Sequence, residues 1–195
     1  MLQDRLALHF NESLETLQNT LANLGETIQF AAHKLVAAIL NDNKILICGN
    51  GASAAIAQQF SSAMLNRFER ERPALPAIAL TTDIAAITAI AEDYHFDDIF
   101  AKQVKALGQN EDILLVFASN GNPANIVKAI TAAHDKNIAV VALTGHDGGM
   151  VAPMLNTSDI EIRIPSTNDS RIHEAHLVIS HCLCDLIDQQ IFGGL

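Results

Sequence analysis

Two turns rich in glycine, serine and asparagine are the segments of this sequence most suited to chemistry. The first, residues 49–53 (Gly-Asn-Gly-Ala-Ser), directly follows the apolar run 45–48 and precedes a helical pattern. Glycine lets backbone N–H groups come close to a ligand, and the helix that follows offers unpaired donors and a favourable dipole to an anion. The turn is therefore predicted to bind phosphate.

A second turn of the same kind, residues 118–123 (Ala-Ser-Asn-Gly-Asn-Pro), follows the apolar run 113–117. Pro123 suits the first turn of the helix expected after it. One such turn is weak support for a ligand site, because turns of this composition after strands are common in α/β proteins. Two in one chain are stronger, and they are expected to face one crevice.

Short apolar runs alternate with helical patterns from residue 44 onward, and this alternation predicts the elements that position the two turns. The five runs predicted as strands are 45–48, 77–80, 113–117, 138–143 and 160–164. Runs buried on both faces and separated by helices predict a doubly wound α/β sandwich over residues 43–195, with a five-stranded parallel sheet. Ligands bind beyond the C-terminal ends of such strands, which is where both turns fall.

Residues 1–42, before the sheet, are predicted to form a helical hairpin used in oligomerisation. Apolar residues recur at three- and four-residue spacing from Leu2 to Leu24, which lays one stripe along a helix. Gly25 is expected to break this helix, and residues 28–40 to form a second one. The whole chain, 1–195, is then expected to be a single domain.

Composition limits the partners that the chain can have. Its formal net charge is −10 over 195 residues, with 12 Lys and Arg against 22 Asp and Glu, which argues against direct binding of nucleic acid. No apolar run reaches the roughly 20 residues of a membrane span, so no membrane is expected as a partner. The three cysteines form no disulfide framework, which predicts a reducing, cytoplasmic location.

Five segments together resemble the sugar isomerase (SIS) family, in the branch that holds the bacterial phosphoheptose isomerases and the DnaA initiator-associating (DiaA) proteins. They are residues 48–53, 66–80, 141–149, 160–165 and 182–188. The resemblance covers nearly the whole chain and implies the SIS fold. It also implies residual sugar-phosphate binding by seven residues, namely Asn50, Gly51, Ser53, Asp93, Ser119, Asn120 and His181.

Two positions distinguish the enzymes of this family from the present chain. Where the isomerases carry a metal-binding histidine and a catalytic glutamate, this chain has Gln59 and Ala63. Alanine can neither abstract a proton nor bind a metal, so the comparison implies a protein that is not an enzyme and needs no cofactor. His173 and His181 stand at two further site positions and are candidate metal ligands, but without a carboxylate they form an incomplete zinc site.

The resemblance therefore implies an adaptor, a homotetramer built as a dimer of dimers, that binds a DnaA-like initiator and promotes its assembly at the replication origin. Ile191 and Phe192, at the end of the last helix, are the predicted contact residues, with burial in a subunit interface as the alternative. Two other functions stay open. One is an isomerase of sedoheptulose 7-phosphate or another sugar phosphate with His181 as acid or base, and the other is a sugar-phosphate sensor.

Overall fold

A computed structural model describes residues 1–193 of the chain, so the predicted end of the domain at residue 195 lies just outside the described residues. The strands are β1 (Ile45–Gly49), β2 (Ala77–Ala79), β3 (Ile113–Phe117), β4 (Ala139–Thr144) and β5 (Ile160–Arg163). The α-helices are α1 (Leu2–Leu40), α2 (Ala52–Leu65), α3 (Ile84–Asp93), α4 (Ile99–Leu107), α5 (Ala124–His134) and α6 (Asp169–Phe192). Two short 3₁₀ helices cover Phe96–Asp98 and Ala152–Met154.

The five strands form one parallel sheet in the order β2-β1-β3-β4-β5, as the alternation of apolar runs predicts. Side chains that alternate along each strand enter two different cores. Ile45 and Ile47 of β1 pack with residues of α1, α2 and α6, whereas Leu46 and Cys48 pack with residues of α4 and α5. The predicted fold class, a doubly wound α/β sandwich, is therefore confirmed.

The sheet order places β1 directly beside β3. After β1 the chain moves outward to β2, and it then returns to the other side of β1 to form β3. Gly49, the last residue of β1, pairs in register with Phe117, the last residue of β3. Such a reversal of strand order opens a crevice beyond the strand ends, and both Gly/Ser turns begin there.

The predicted N-terminal hairpin is wrong, because α1 is one continuous helix from Leu2 to Leu40. Gly25 lies inside this helix, where a glycine costs about 1 kcal/mol relative to alanine but does not force a turn. The second half of α1 is held by packing, since Ala31, Ala32 and Leu35 are fully buried in the core that α1 shares with α6. That burial outweighs the helix-breaking tendency of one glycine.

Two buried arginines connect α6 to the rest of the fold. Arg171, near the start of α6, donates a hydrogen bond to the carbonyl oxygen of His9 in α1 at 2.6 Å. Arg72, in the segment after α2, forms an ion pair with Asp188 near the end of α6, at 2.8 Å and with both side chains at most 4% exposed. Arg72 also donates to the carbonyl oxygens of Ala63 and Met64 at 2.7 Å, which satisfies the end of α2.

Within residues 1–193, none of the helices combines the length and the apolar character needed to cross a lipid bilayer.

Asp188→Ala should destabilise the protein by about 3 kcal/mol or more, because it leaves the buried guanidinium of Arg72 without its counter-charge. The measurement is the free energy of unfolding from urea denaturation. The matched control is Glu71→Ala, which removes the exposed partner of Arg67 and should cost less than about 1 kcal/mol. Equal effects of the two substitutions would contradict the assignment of the buried pair as a stabilising link.

Candidate functional site

A crevice of about 280 Å³ lies beyond the C-terminal ends of β1 and β3 and contains both Gly/Ser turns. Its lining residues are Asn50, Gly51, Ala52, Ser53, Phe117, Ala118, Ser119, Asn120, Pro123 and His173. The structure thus brings together Asn50, Gly51, Ser53, Ser119 and Asn120, which are five of the seven residues predicted for sugar-phosphate binding. His173, predicted only as a candidate metal ligand, joins them from α6.

The first Gly/Ser turn connects β1 to α2 with the geometry expected of an anion site. Gly51 has a φ of +55°, a backbone conformation that favours glycine, and Ala52 begins the 14-residue helix α2. Ser53, in the first turn of α2, is only 3% exposed and its N–H donates to the carbonyl oxygen of Asn50 at 3.0 Å. The positive end of the α2 dipole therefore points toward the crevice.

The second turn is held tightly against the loop that follows β4. Gly121 has a φ of +67°, and a side chain there would overlap the carbonyl oxygen of Gly148. Val151 donates its N–H to the carbonyl oxygen of Gly121 at 3.0 Å, and the side-chain oxygen of Asn122 accepts from the N–H of Met150 at 3.2 Å. These bonds fix the position of Ser119 and Asn120, which line the crevice just before Gly121.

A link between the two sides of the crevice comes from a residue that the sequence analysis did not single out. Asn50 donates a hydrogen bond from Nδ2 to Oδ1 of Asn125, and Asn125 donates one from Nδ2 to Oδ1 of Asn50, both at 2.8 Å. Asn125 is 1% exposed and lies in the first turn of α5. The sequence did carry a signal for Asn125. It lies at the start of the helix after the second Gly/Ser turn, as Ser53 lies at the start of the helix after the first.

His173 faces the two turns from the first full turn of α6, next to an acid–base pair. His146 Nε2 lies 3.2 Å from Oδ1 of Asp169, the first residue of α6. That hydrogen bond, with help from the Ser119 hydroxyl and the charges of His146 and His173, lowers the pKa of Asp169 below its ordinary value. Imidazole can take up and return a proton near neutral pH, so His173 is the side chain in the crevice suited to general acid–base catalysis.

Two predicted binding residues lie away from this crevice lining. Asp93 is the last residue of α3 and is exposed to solvent. His181 is two helical turns beyond His173 on α6, half-buried, with its ring centroid 5.6 Å from that of Phe68. Neither residue is part of the crevice lining, and their assignment to sugar-phosphate binding stays a prediction.

Gln59 and Ala63 lie on the face of α2 that packs toward α6. The side-chain oxygen of Gln59 accepts a hydrogen bond from the Ser180 hydroxyl at 2.9 Å, and Ala63 is 8% exposed in the core. Within residues 1–193 there is no group of three or more His, Cys, Asp or Glu side chains placed to share a metal ion. The side chains of residues 1–193 therefore do not fit the metal site that the resemblance implies.

The residues predicted to contact a protein partner pack against their own chain. Ile191 lies partly buried against the core, and Phe192 is 37% exposed with the guanidinium of Arg70 above its ring, 5.8 Å from the centroid. Arg70 also donates to the carbonyl oxygens of Asp188 and Gly193. These contacts hold the end of α6 in place.

A larger cavity, about 440 Å³, lies at the opposite edge of the sheet, where the strands begin. Ionic groups at this edge of the sheet hold the starts of the strands in place. Asp112 is fully buried and accepts hydrogen bonds from the Lys44 side chain and the Gln109 N–H, each at 2.7 Å. Asp159 accepts from the N–H of Val140 at 2.7 Å and lies 2.8 Å from His134. The smaller crevice is the better candidate, because ligands of parallel sheets bind at the strand C-terminal ends.

Comparisons with known proteins agree on the relatives of this chain. The family model for the SIS domain matches residues 9–145. A phosphoheptose isomerase of Methylococcus capsulatus is 53% identical over 190 residues, which are 97% of each chain. The solved structure of a phosphoheptose isomerase from Francisella tularensis has a TM-score of 0.95 and 49% identity, covering 97% of this chain and 99% of that one. A phosphoheptose isomerase from Neisseria gonorrhoeae has a TM-score of 0.92 and 44% identity, covering 97% of this chain and 100% of that one.

The predicted DnaA adaptor and the predicted absence of enzymatic activity are both wrong by these comparisons. Relatives named phosphoheptose isomerase match at about half identity over nearly the full length of both chains. None of the relatives named above carries a name that refers to initiator binding. The prediction relied on two substituted positions, Gln59 and Ala63, whereas the crevice is built from the backbone turns and from His173, which those substitutions leave in place.

A fully buried histidine lies behind the crevice. His176 Nε2 donates to the carbonyl oxygen of Thr144 at 3.1 Å, and its ring centroid is 6.0 Å from that of Phe117, which lines the crevice. Nδ1 is buried and has no hydrogen-bond partner. Burial lowers the pKa of His176 to about 4, so the folded protein holds it neutral.

The stability of the protein should fall as the pH decreases from about 6.5 to about 4, by about 3 kcal/mol from His176 alone. The unfolded chain takes up a proton on this residue near pH 6.5, whereas the folded chain resists it until pH 4. Urea denaturation at several pH values measures the slope. His176→Gln should flatten it, and the exposed His95→Gln should leave it unchanged. An unchanged slope in His176→Gln would contradict the prediction.

Proposed function

The chain belongs to the SIS domain family, and on that basis we propose that it is an isomerase of a phosphorylated heptose. The observation that carries the proposal is the crevice, where two serine-bearing turns at neighbouring strand ends face His173. The names of relatives at about half identity indicate the substrate class. Sedoheptulose 7-phosphate is the substrate that we propose to test.

The phosphate of the substrate is proposed to lie between the two turns. Ser53 and Ser119 supply hydroxyl donors, and the start of α2 supplies the favourable end of its helix dipole. The formal charge of the chain is −10, so the site depends on local donors rather than on the overall charge. Placing the phosphate there brings the reacting end of the sugar toward His173, the one ionisable side chain of the lining.

An aldose–ketose interconversion moves one carbon-bound proton between two neighbouring carbons. In the proposed reaction His173 takes the proton from the carbon next to the carbonyl group, which gives an enediol, and returns it to the former carbonyl carbon. A second proton passes between the two oxygens, so the atoms balance and no electrons are lost. What supports His173 over His181 is its place in the crevice lining. The proposal assigns no proton transfer to Gln59 or Ala63.

We also propose a cytoplasmic location for this activity. All three cysteines are free, which fits a reducing compartment. Burial raises the pKa of the Cys184 thiol to about 12, so that side chain acts as a small apolar group.

Purified protein should convert sedoheptulose 7-phosphate, and His173→Asn should lower kcat by about 100-fold or more, because general acid–base catalysis contributes that much. A coupled assay or NMR of the sugar product measures the conversion. The control is His181→Asn, on the same helix, which should keep most of the activity. Binding of the sugar phosphate without turnover would contradict the enzyme, and loss of turnover in the control alone would move the base to His181.

Self-association through α1 is a further part of the proposal. The first half of α1 carries a stripe of exposed apolar side chains, namely Leu2, Leu6, Phe10, Leu14 and Leu21. An apolar groove of about 310 Å³ between α1 and α6 continues this stripe, with Leu14 and Leu21 in its wall. A second copy of the chain is the proposed occupant, because its own α1 offers the apolar side chains that such a groove accepts.

Phe10→Glu should therefore shift the protein to a smaller species, since it places a charge in the proposed contact. Analytical ultracentrifugation measures the mass in solution. Ile84→Glu is the matched control, an exposed apolar residue at the start of α3, and it should leave the mass unchanged. A wild-type protein that sediments as a monomer would contradict the proposal.

A further inference from the structure

The two anion-binding turns belong to different strands, and something must set the distance between them. The sheet register ends at Gly49 and Phe117, so the turns themselves lie beyond the last ladder hydrogen bonds. Among the hydrogen bonds of residues 1–193, the first turn is joined to α5 by the reciprocal amide pair of Asn50 and Asn125. This pair joins the segment after β1 to the helix that follows β3.

We infer that Asn125 is a positioning residue for the crevice. Its side chain is 1% exposed and is not part of the crevice lining, so it acts through Asn50 rather than by touching a ligand. Each amide both donates and accepts at 2.8 Å, which two facing carboxamides can do because each carries an N–H donor and a carbonyl acceptor side by side. The inference rests on the proposed function, because it assumes that the crevice binds a sugar phosphate.

The pair also assigns a role to Asn50. Its Oδ1 and one of its Nδ2 hydrogens are used by Asn125, so its carboxamide serves first as a clamp and not as a ligand contact. Preorganised donors bind an anion more tightly than donors that must be ordered on binding. Breaking the clamp lets the first turn move relative to α5 and lowers the affinity for phosphate without removing any group that touches it.

The test is calorimetric binding of sedoheptulose 7-phosphate to four proteins: wild type, Asn50→Ala, Asn125→Ala and the double variant. Because either single substitution breaks both hydrogen bonds, we expect each to weaken binding about tenfold and the double variant to be no weaker than the singles. If Asn50 instead contacts the ligand by itself, the losses of binding free energy caused by the two single substitutions will add in the double variant. Additive losses would overturn the inference.

Gln103→Ala controls for a loss of stability alone. Gln103 is 8% exposed and its side-chain amide donates to the carbonyl oxygens of Leu80 and Ile99, outside the crevice lining. It should lower the melting temperature but leave the affinity unchanged. Asn125→Ala with wild-type affinity overturns the inference and leaves the proposed function intact, whereas a wild-type protein that binds no sugar phosphate overturns both.

Discussion

The parallel pairing of β1 with β3 is the constraint on which the rest of this structure depends. Their residues pair in register over the full length of both strands, from Ile45 with Ile113 to Gly49 with Phe117. Both strands therefore end at the same level, and each is followed by a glycine-containing turn and then a helix. Without this pairing the serines of the two turns would lie on separate parts of the surface and would form no common crevice.

His173 is distant in sequence from the two Gly/Ser turns, and it reaches the crevice because α6 is held in place at both of its ends. Arg171 fixes the start of α6 against α1, and the buried pair of Arg72 and Asp188 fixes its end against the segment after α2. His173 lies near the first of these anchors. The position of His173 in the crevice thus depends on contacts that buried arginines make at the two ends of α6.

The three inner strands β1, β3 and β4 could be predicted because each is an apolar run bounded by turn residues, and such runs are stable when buried on both faces. The edge strand β5 instead alternates apolar residues with Glu161 and Arg163. The sequence did not reveal that α1 is continuous, because Gly25 is locally unfavourable in a helix and only tertiary packing of Ala31, Ala32 and Leu35 decides the outcome. Within the site, the turn residues followed from local pattern. The bond between Asn50 and Asn125 did not, since it joins residues 75 positions apart.

The unbroken α1 also determines where the N-terminus of the chain lies. A helix of 39 residues is about 58 Å long, which exceeds the span of any strand in the sheet. Its early turns reach the first turn of α6, where the His9 carbonyl meets Arg171, two residues before His173. Arg171 and His173 are two positions apart on α6 and so point to different sides of that helix, which places α1 away from the side that carries His173. A bulky group fused to Met1 would lie next to Leu2 and Leu6 of the proposed self-association surface, so a label or tether is better attached elsewhere.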